Sequence, residues 1–153
     1  MASVTQLISG LERLSVSIEP QIWRDWSQMS DRASPKTIMQ KIVAIFNTGD
    51  MSEVDLIFSP DYVDHQKPPG MEIDGPGEFK QIVTDARQSV QKLVISIEDL
   101  IAESDKVAAR LRWHIIDLTG KEIHRETIDI LHLESDRVVE HWGAEAWRME
   151  KYP

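Results

Sequence analysis

The stretch KLVISIEDLIAESDKVAARLRWHIIDL, residues 92–118, decides the fold of this chain. Apolar residues recur at every second position in each half, and Ser104-Asp105 between the halves is typical of a turn. Two more alternating segments, residues 121–135 and 137–147, follow further turn residues. We therefore expect four long strands joined by tight turns in an antiparallel meander.

The chain before residue 92 has a helical apolar period instead. Ser34 as N-cap and Pro35 at the first helical position predict a helix that ends at Gly49. A short strand is expected over residues 61–66, and a further helix after the loop of residues 67–77. Helices first and strands afterwards indicate an α+β fold, in which a strongly curved antiparallel sheet holds the helices in its hollow.

The length of 153 residues favours one main domain, which we expect over residues 31–153. Residues 1–30 are predicted to be an N-terminal helical extension, because Leu7, Leu11 and Leu14 recur at helical spacing. Such an apolar stripe covers either its own domain or a second subunit.

The composition argues against several classes of partner. The net charge is −9 and no basic cluster is present, so neither nucleic acid nor an anionic membrane surface is an expected partner. There are no cysteines, which excludes disulfides and thiolate metal sites. A secretory signal and an 18-residue apolar run are both missing from the sequence, so a cytoplasmic location is the default expectation.

No metal or organic cofactor is expected from the motifs. The sequence has no H-x-H, H-x-x-x-H or HExxH pattern, and no G-x-S-x-G nucleophile motif. The closest set of metal-ligating residue types, His65, Asp129 and His141, comes from three separated segments.

Five motifs together resemble one family. They are FNTGD (46–50), SPDYVDHQ (59–66), GPGEFKQIV (75–83), EDLIAESDKVAAR (98–110) and VVEHWG (138–143). Their order and spacing resemble the SnoaL-like polyketide cyclases of the NTF2-like superfamily, over about residues 36–148. The resemblance implies an NTF2-like cone with a deep, mostly apolar pocket, and commonly a homodimer. It also implies ring closure by acid–base chemistry on a carbon acid, without metal or cofactor.

The resemblance also indicates where this chain departs from the cyclases. Their key aspartate lies two residues after the histidine of the last strand, a position that is Gly143 here, and glycine supplies no proton. The glycine marks either lost cyclase chemistry or space for a bulkier ligand. By alternation, His141 faces the same way as Gly143, together with Val139, while Val138 lies on the opposite face.

Asp129 and His141 are the predicted acid–base pair. Asp129 stands between isoleucines in mid-strand, where a carboxylate is costly without a partner, and the resemblance assigns it to a pocket position. If they lie on adjacent strands, Asp129 and His141 could pair, and each could orient the other or shift its pKa. The alternative is a buried Asp–His or Asp–Arg bridge without chemistry.

Two further residues are candidates for assisting roles. His65 follows the first strand, where ketosteroid-isomerase-like relatives carry a general base, but it could equally organise the turn before the Pro-Pro loop. Glu145 faces the same way as His141 if the last strand extends to residue 145, and is otherwise a solvated carboxylate. The expected substrate-binding residues are Tyr62, Trp113, Thr127, Trp142 and Gly143. Trp142 and Trp147 are alternatively dimer contacts.

Several polar residues are expected on the outer face of the sheet. Arg110, Arg112 and His114 alternate with Trp113, and His124 and His132 alternate with Asp129.

The function indicated is a cofactor-independent cyclase or isomerase that acts on a hydrophobic polyketide- or terpenoid-like intermediate. The alternatives are a non-catalytic NTF2-like protein that binds a small apolar ligand, and an assembly module that dimerises through its sheet. A small hydrophobic substrate and a second copy of the chain are thus the expected partners.

Overall fold

The structure, a computed structural model, describes residues 34–67 and 69–145. The N-terminal extension predicted over residues 1–30 and Trp147 lie outside these residues.

Three helices and five strands make up the described part of the chain. In chain order they are α1 (Pro35–Thr48), α2 (Val54–Ile57), β1 (Phe58–Asp64), α3 (Pro76–Gln88), β2 (Val90–Glu103), β3 (Lys106–Asp117), β4 (Glu122–Glu134) and β5 (Arg137–Glu145).

The strands form one curved, unclosed sheet in the order β1-β5-β4-β3-β2. Strands β2 to β5 pair antiparallel with their neighbours in sequence, and β1 pairs parallel with β5. The predicted α+β class and the antiparallel meander are thereby confirmed. Among the described helices, none combines the length and the apolarity that a membrane crossing requires.

Helix α1 begins and ends at the residues that its sequence indicates. The Ser34 hydroxyl accepts a hydrogen bond of 3.2 Å from the Thr37 amide, which satisfies one of the free N–H groups of the first turn. Gly49 adopts a left-handed conformation with φ of 78°, and its amide donates to Ile45 O at 2.8 Å.

The core lies between the helices and the inner face of the sheet. Helix residues such as Ile38, Met39 and Val83 are at most 3% exposed, and so are Val107 and Val138 of the sheet. Because removing apolar surface from water is favourable, this burial stabilises the packing of α1 and α3 against the sheet.

Polar contacts fix where α1 lies on the sheet. The Asn47 side chain donates to Ile95 O at 2.9 Å and accepts from Ile95 N at 2.7 Å. Arg87 of α3 donates to the carbonyls of Phe46 and Asn47, both at 2.8 Å. The last turn of α1 is thus tied to both β2 and α3.

Strict alternation along β5 was a wrong prediction. His132 pairs with Glu140 whereas Leu133 pairs with Val138, so Val139 is an extra residue in a β-bulge. The bulge turns Val138 into the core, where it is fully buried, on the same side as His141. The sequence had assigned Val138 to the opposite face.

Candidate functional site

A cavity of about 210 Å³ lies between the helices and the inner face of the sheet. Its apolar wall consists of Met39, Ile42, Val43, Phe46, Phe58, Phe79, Ile82, Ile95, Leu111, Trp113 and Leu131. The polar residues that line it are Tyr62, Asp64, Gln66, Thr127, Asp129 and His141. A few polar groups in a mostly apolar, concave site are typical of a small-molecule site.

His141 lies between two carboxylates. Its Nε2 is 3.0 Å from Asp129 Oδ1, and its Nδ1 is 3.1 Å from Asp64 Oδ1. The register of the sheet produces this arrangement, because His141 pairs with Asp64 of β1 and its neighbour but one on β5, Gly143, pairs with Asp129 of β4. Ionised carboxylates only accept hydrogen bonds, so both ring nitrogens donate and the ring is an imidazolium.

The surroundings of His141 explain why the ring keeps its charge. Burial alone would lower the pKa of His141, but the hydrogen bonds and the charges of Asp129 and Asp64 raise the pKa to about 9. Burial raises the pKa of Asp64 in turn, but the net shift is downward, chiefly because His141 donates to it. With its pKa raised to about 9, the ring of His141 keeps its proton at neutral pH and donates hydrogen bonds to both carboxylates.

A hydrogen-bond chain holds Asp129 from the other side. Trp113 Nε1 donates to Thr127 Oγ1 at 2.9 Å, and Thr127 Oγ1 donates to Asp129 Oδ2 at 2.5 Å. The Asp129 side chain is only 14% exposed, so water competes little for these bonds. Both oxygens of Asp129 are thus fixed at the cavity wall.

Asp64 is a site residue that the sequence reasoning missed. Its Oδ1 accepts a hydrogen bond of 2.8 Å from the backbone N–H of Gln66. The Asp64 carboxylate also forms a hydrogen bond with the Tyr62 side chain. Burial, followed by the charge of Asp64, raises the pKa of Tyr62, so this phenol stays neutral. The alternation of β1 puts Tyr62 and Asp64 on one face, and this signal could have identified Asp64.

Gly143 lies directly opposite Asp129. A Cβ at this position would stand 3.0 Å from Asp129 Oδ1 and would collide with the Gln66 side-chain oxygen. The Gln66 side-chain amide also donates to the Gly143 carbonyl. In this structure the end of the Gln66 side chain therefore occupies the space beside Gly143.

His65 and Trp142 lie outside the cavity. Their rings stack with centroids 4.6 Å apart and planes 8° from parallel, and His65 Nε2 is 3.2 Å from Glu140 Oε1. Neither residue lines the cavity. Strand β1 ends with the Asp64 carboxylate facing the cavity, and His65 lies in the turn that follows. His65, predicted to assist catalysis, and Trp142, predicted to contact substrate, therefore do not line the cavity.

Glu145 does not reach the cavity either. It is exposed at the end of β5, with Oε1 3.6 Å from Arg125 Nε. It borders a neighbouring cleft of about 330 Å³, whose wall includes Trp113 and Thr127. Of the predicted catalytic residues, the structure therefore brings together Asp129 and His141 and leaves His65 and Glu145 apart from them.

One group of side chains in the described residues has metal-ligand atoms that converge, and it lies away from the cavity. It consists of His114, Glu122 and His124 and shares no residue with the separated set of His65, Asp129 and His141, for which no metal was expected. Within the cavity, the nitrogens of His141 are taken up by the two carboxylates.

Comparison with solved structures reveals similar folds. TsrD from Streptomyces laurentii is 25% identical with a TM-score of 0.67, and the match covers 75% of this chain and 90% of that chain. A Bacillus cereus protein provisionally described as a polyketide cyclase is 29% identical with a TM-score of 0.65, over 71% and 72% of the two chains. A Catenulispora acidiphila protein with a ketosteroid-isomerase-like fold is 13% identical with a TM-score of 0.59, over 70% and 83%, and shows a likeness of fold alone. The expected NTF2-like architecture is thereby confirmed.

Comparison with curated proteins found no match. The sequence profile of the SnoaL-like polyketide cyclases, in contrast, matches residues 36–145, which include every strand of the sheet and every residue that lines the cavity. The chain belongs to the SnoaL-like polyketide cyclase family.

Proposed function

We propose that the protein is a cofactor-independent cyclase or isomerase that moves a proton on a hydrophobic polyketide- or terpenoid-like intermediate. The observation that carries this proposal is the Asp129–His141 pair, 3.0 Å apart, at the wall of an otherwise apolar cavity. Buried charged groups that line a cleft are more often functional than those elsewhere in a fold.

Asp129 is the proposed general base. A carboxylate in this position takes a proton from a carbon next to a carbonyl group, and the electron pair of the broken C–H bond moves onto the carbonyl oxygen as an enolate. Thr127 and His141 fix the orientation of the carboxylate, which keeps the cost of positioning it low.

His141 is the proposed electrostatic partner. When Asp129 takes the proton, the negative charge passes from Asp129 to the enolate oxygen and stays close to the imidazolium. Return of the proton to a different carbon completes an isomerisation. In a ring closure, the enolate carbon instead bonds to a second carbonyl carbon, whose oxygen receives the proton.

The size of the cavity supports a compact, ring-sized substrate. Its volume of about 210 Å³ exceeds the roughly 150 Å³ that is enough to hold benzene. Phe46 packs edge-on against Phe79 and Trp113, with ring centroids 5.5 Å apart in both pairs, so the wall suits aromatic or polyene carbon frameworks.

A second candidate function is ligand binding without turnover. The observation that favours it is the mutual satisfaction of the polar groups: both nitrogens of His141 and both oxygens of Asp129 already have partners. In that case the polar chain only stabilises the wall of a binding cavity.

An exchange assay in D₂O distinguishes the two functions. Small 1,3-diketones, polyketide-like aromatic ketones and terpenoid enones are incubated with the protein, and loss of their α-proton signals is followed by NMR. We expect accelerated exchange with at least one compound class. Replacing the cavity residue Ile82 with tryptophan should abolish it, whereas Ile128→Trp on the outer face should not. Compounds that bind tightly but do not exchange at any pH would favour the binding protein.

A further inference from the structure

The outer face of the sheet carries two histidines and a glutamate at one end of the β3–β4 hairpin. His114 of β3 pairs directly with His124 of β4, and Glu122 lies two residues before His124, on the same face. Trp113, next to His114, points the opposite way and lines the cavity. The cluster is therefore separated from the cavity by the thickness of the sheet.

The ligand atoms of the cluster converge. One nitrogen from each imidazole and one carboxylate oxygen all lie within 4.8 Å of one another. Glu122 Oε1 is 2.6 Å from His114 Nε2 and 3.4 Å from His124 Nε2. A tetrahedral zinc ion with bonds of about 2.0–2.1 Å separates its ligand atoms by about 3.3 Å, so small side-chain rotations suffice to seat an ion here.

His114 Nε2 is a buried nitrogen without a hydrogen bond. It is shielded from solvent and makes no regular hydrogen bond, although Glu122 Oε1 lies 2.6 Å away. A buried nitrogen without a partner carries a free-energy cost that a bound ion removes.

The donor set selects the kind of ion. Imidazole nitrogens suit zinc, copper, nickel and iron, and a carboxylate completes the two-histidine, one-carboxylate set found in several zinc sites. Magnesium and calcium prefer oxygen ligands and suit this set poorly. Both the set and its spacing therefore indicate a transition metal.

We propose that His114, Glu122 and His124 bind one zinc ion, or a similar divalent transition metal, with water at the remaining position. The ion links β3 to β4 next to the turn that joins them. Its binding is independent of the acid–base chemistry proposed for the cavity.

Zinc titration of the untagged full-length protein tests this site. By isothermal titration calorimetry, we expect wild type to bind one zinc ion per chain, and His124→Gln and His114→Gln to bind it about tenfold more weakly or worse. His65→Gln is the matched control, since His65 is also a partly exposed histidine beside a glutamate but belongs to no converging set within residues 34–67 and 69–145. It should bind zinc as wild type does.

Two further measurements keep the outcome clear. Circular dichroism of the metal-free variants verifies that they fold, and His124 is a safe position because its side chain is 56% exposed. In cobalt-loaded wild type we expect the visible bands of a four-coordinate ion, and these should be missing from His124→Gln. Failure of wild type to bind zinc at millimolar metal would overturn the proposal, as would unchanged zinc affinity in folded His124→Gln.

Discussion

At His141, burial and two carboxylates act on one imidazole in opposite directions. Burial favours the neutral ring, and the carboxylates of Asp64 and Asp129 favour the cation. The carboxylates dominate, and this has two consequences at the scale of single residues. The ring is charged at neutral pH, and for this reason we propose Asp129 and not His141 as the base.

The charge of His141 can be measured by NMR. We predict that its ring titrates with a pKa of about 9, above the roughly 6.5 of an ordinary histidine. Asp129→Asn should lower this pKa, because the cationic form loses one of its two carboxylate partners. A wild-type midpoint near or below the ordinary value for His141 would contradict this assignment.

Gly143 and Gln66 should be energetically coupled. Gly143→Ala adds a methyl group that displaces the Gln66 side chain and approaches Asp129 Oδ1. We predict a loss of about 1 kcal/mol in the free energy of unfolding. Gln66→Ala removes the obstacle, so Gly143→Ala should cost much less in that background. Urea denaturation of the double-mutant cycle measures the difference, and strictly additive effects would be the contrary result.

The sequence predicted part of this site and missed part of it. Asp129 and His141 were paired correctly because alternation on adjacent strands requires only that both strands be identified. Gln66 could not be foreseen, since it reaches the site from a turn whose path follows no periodic pattern. His65 was predicted from a resemblance, whereas the alternation that begins at Tyr62 indicates Asp64.

At the scale of elements, α1 positions one wall of the cavity. It contributes Met39, Ile42, Val43 and Phe46, and its last turn is tied to β2 by the Asn47 amide. The start and end of this helix were predictable, because Ser34, Pro35 and Gly49 are local signals. The bond from Asn47 to Ile95 joins residues 48 positions apart, and no local pattern reports it.

Asn47→Ala tests the importance of this tie. The substitution leaves the N–H and the C=O of Ile95 without their partner, and a part-buried backbone group without a hydrogen bond costs about 1–3 kcal/mol. We predict a loss of about 2 kcal/mol in urea denaturation. Asn47→Asp, which keeps the acceptor for the Ile95 amide, should lose less. A change within experimental error for Asn47→Ala would mean that packing alone holds α1.

The β-bulge at Val139 shows where strand prediction stops. Four strands were predicted from their period of two, yet that period cannot reveal an inserted residue. The bulge brings Val138 and His141 to the same side of the sheet, so the core and the site share β5.

For the molecule as a whole, the outer face of the sheet has an apolar row. Ile101, Ala108, Ile130 and Trp142 are successive cross-strand partners on β2, β3, β4 and β5. Ile101 is 69% exposed and Ile130 is 37% exposed. Contiguous exposed apolar surface of this kind is typical of an interface.

We predict a homodimer through this face. Light scattering coupled to gel filtration should give twice the chain mass of 17.5 kDa. Ile130→Glu should yield the monomer, because two copies of the charge would be buried at a symmetric interface. Ile73→Glu, at an exposed isoleucine outside the sheet, is the control. Wild type at 17.5 kDa throughout the micromolar range would rule the dimer out.

The class of fold could be predicted from the periodicity of apolar residues, and the family from five motifs in a characteristic order and spacing. The cluster proposed to bind a metal was not, since His114 meets Glu122 and His124 only across a hairpin. The cavity site stands between these cases, with the Asp129–His141 pair predicted but the charge of His141 set by both Asp129 and Asp64 against the effect of burial.

The exchange rate of Asp129→Asn tests the central claim most directly. With a compound whose α-protons wild type exchanges in D₂O, we predict that Asp129→Asn lowers the rate constant by about 100-fold or more. Affinity for the compound should change little, because asparagine has nearly the same shape and size and the apolar wall is intact. Exchange at the wild-type rate in folded Asp129→Asn would contradict the claim that Asp129 is the base.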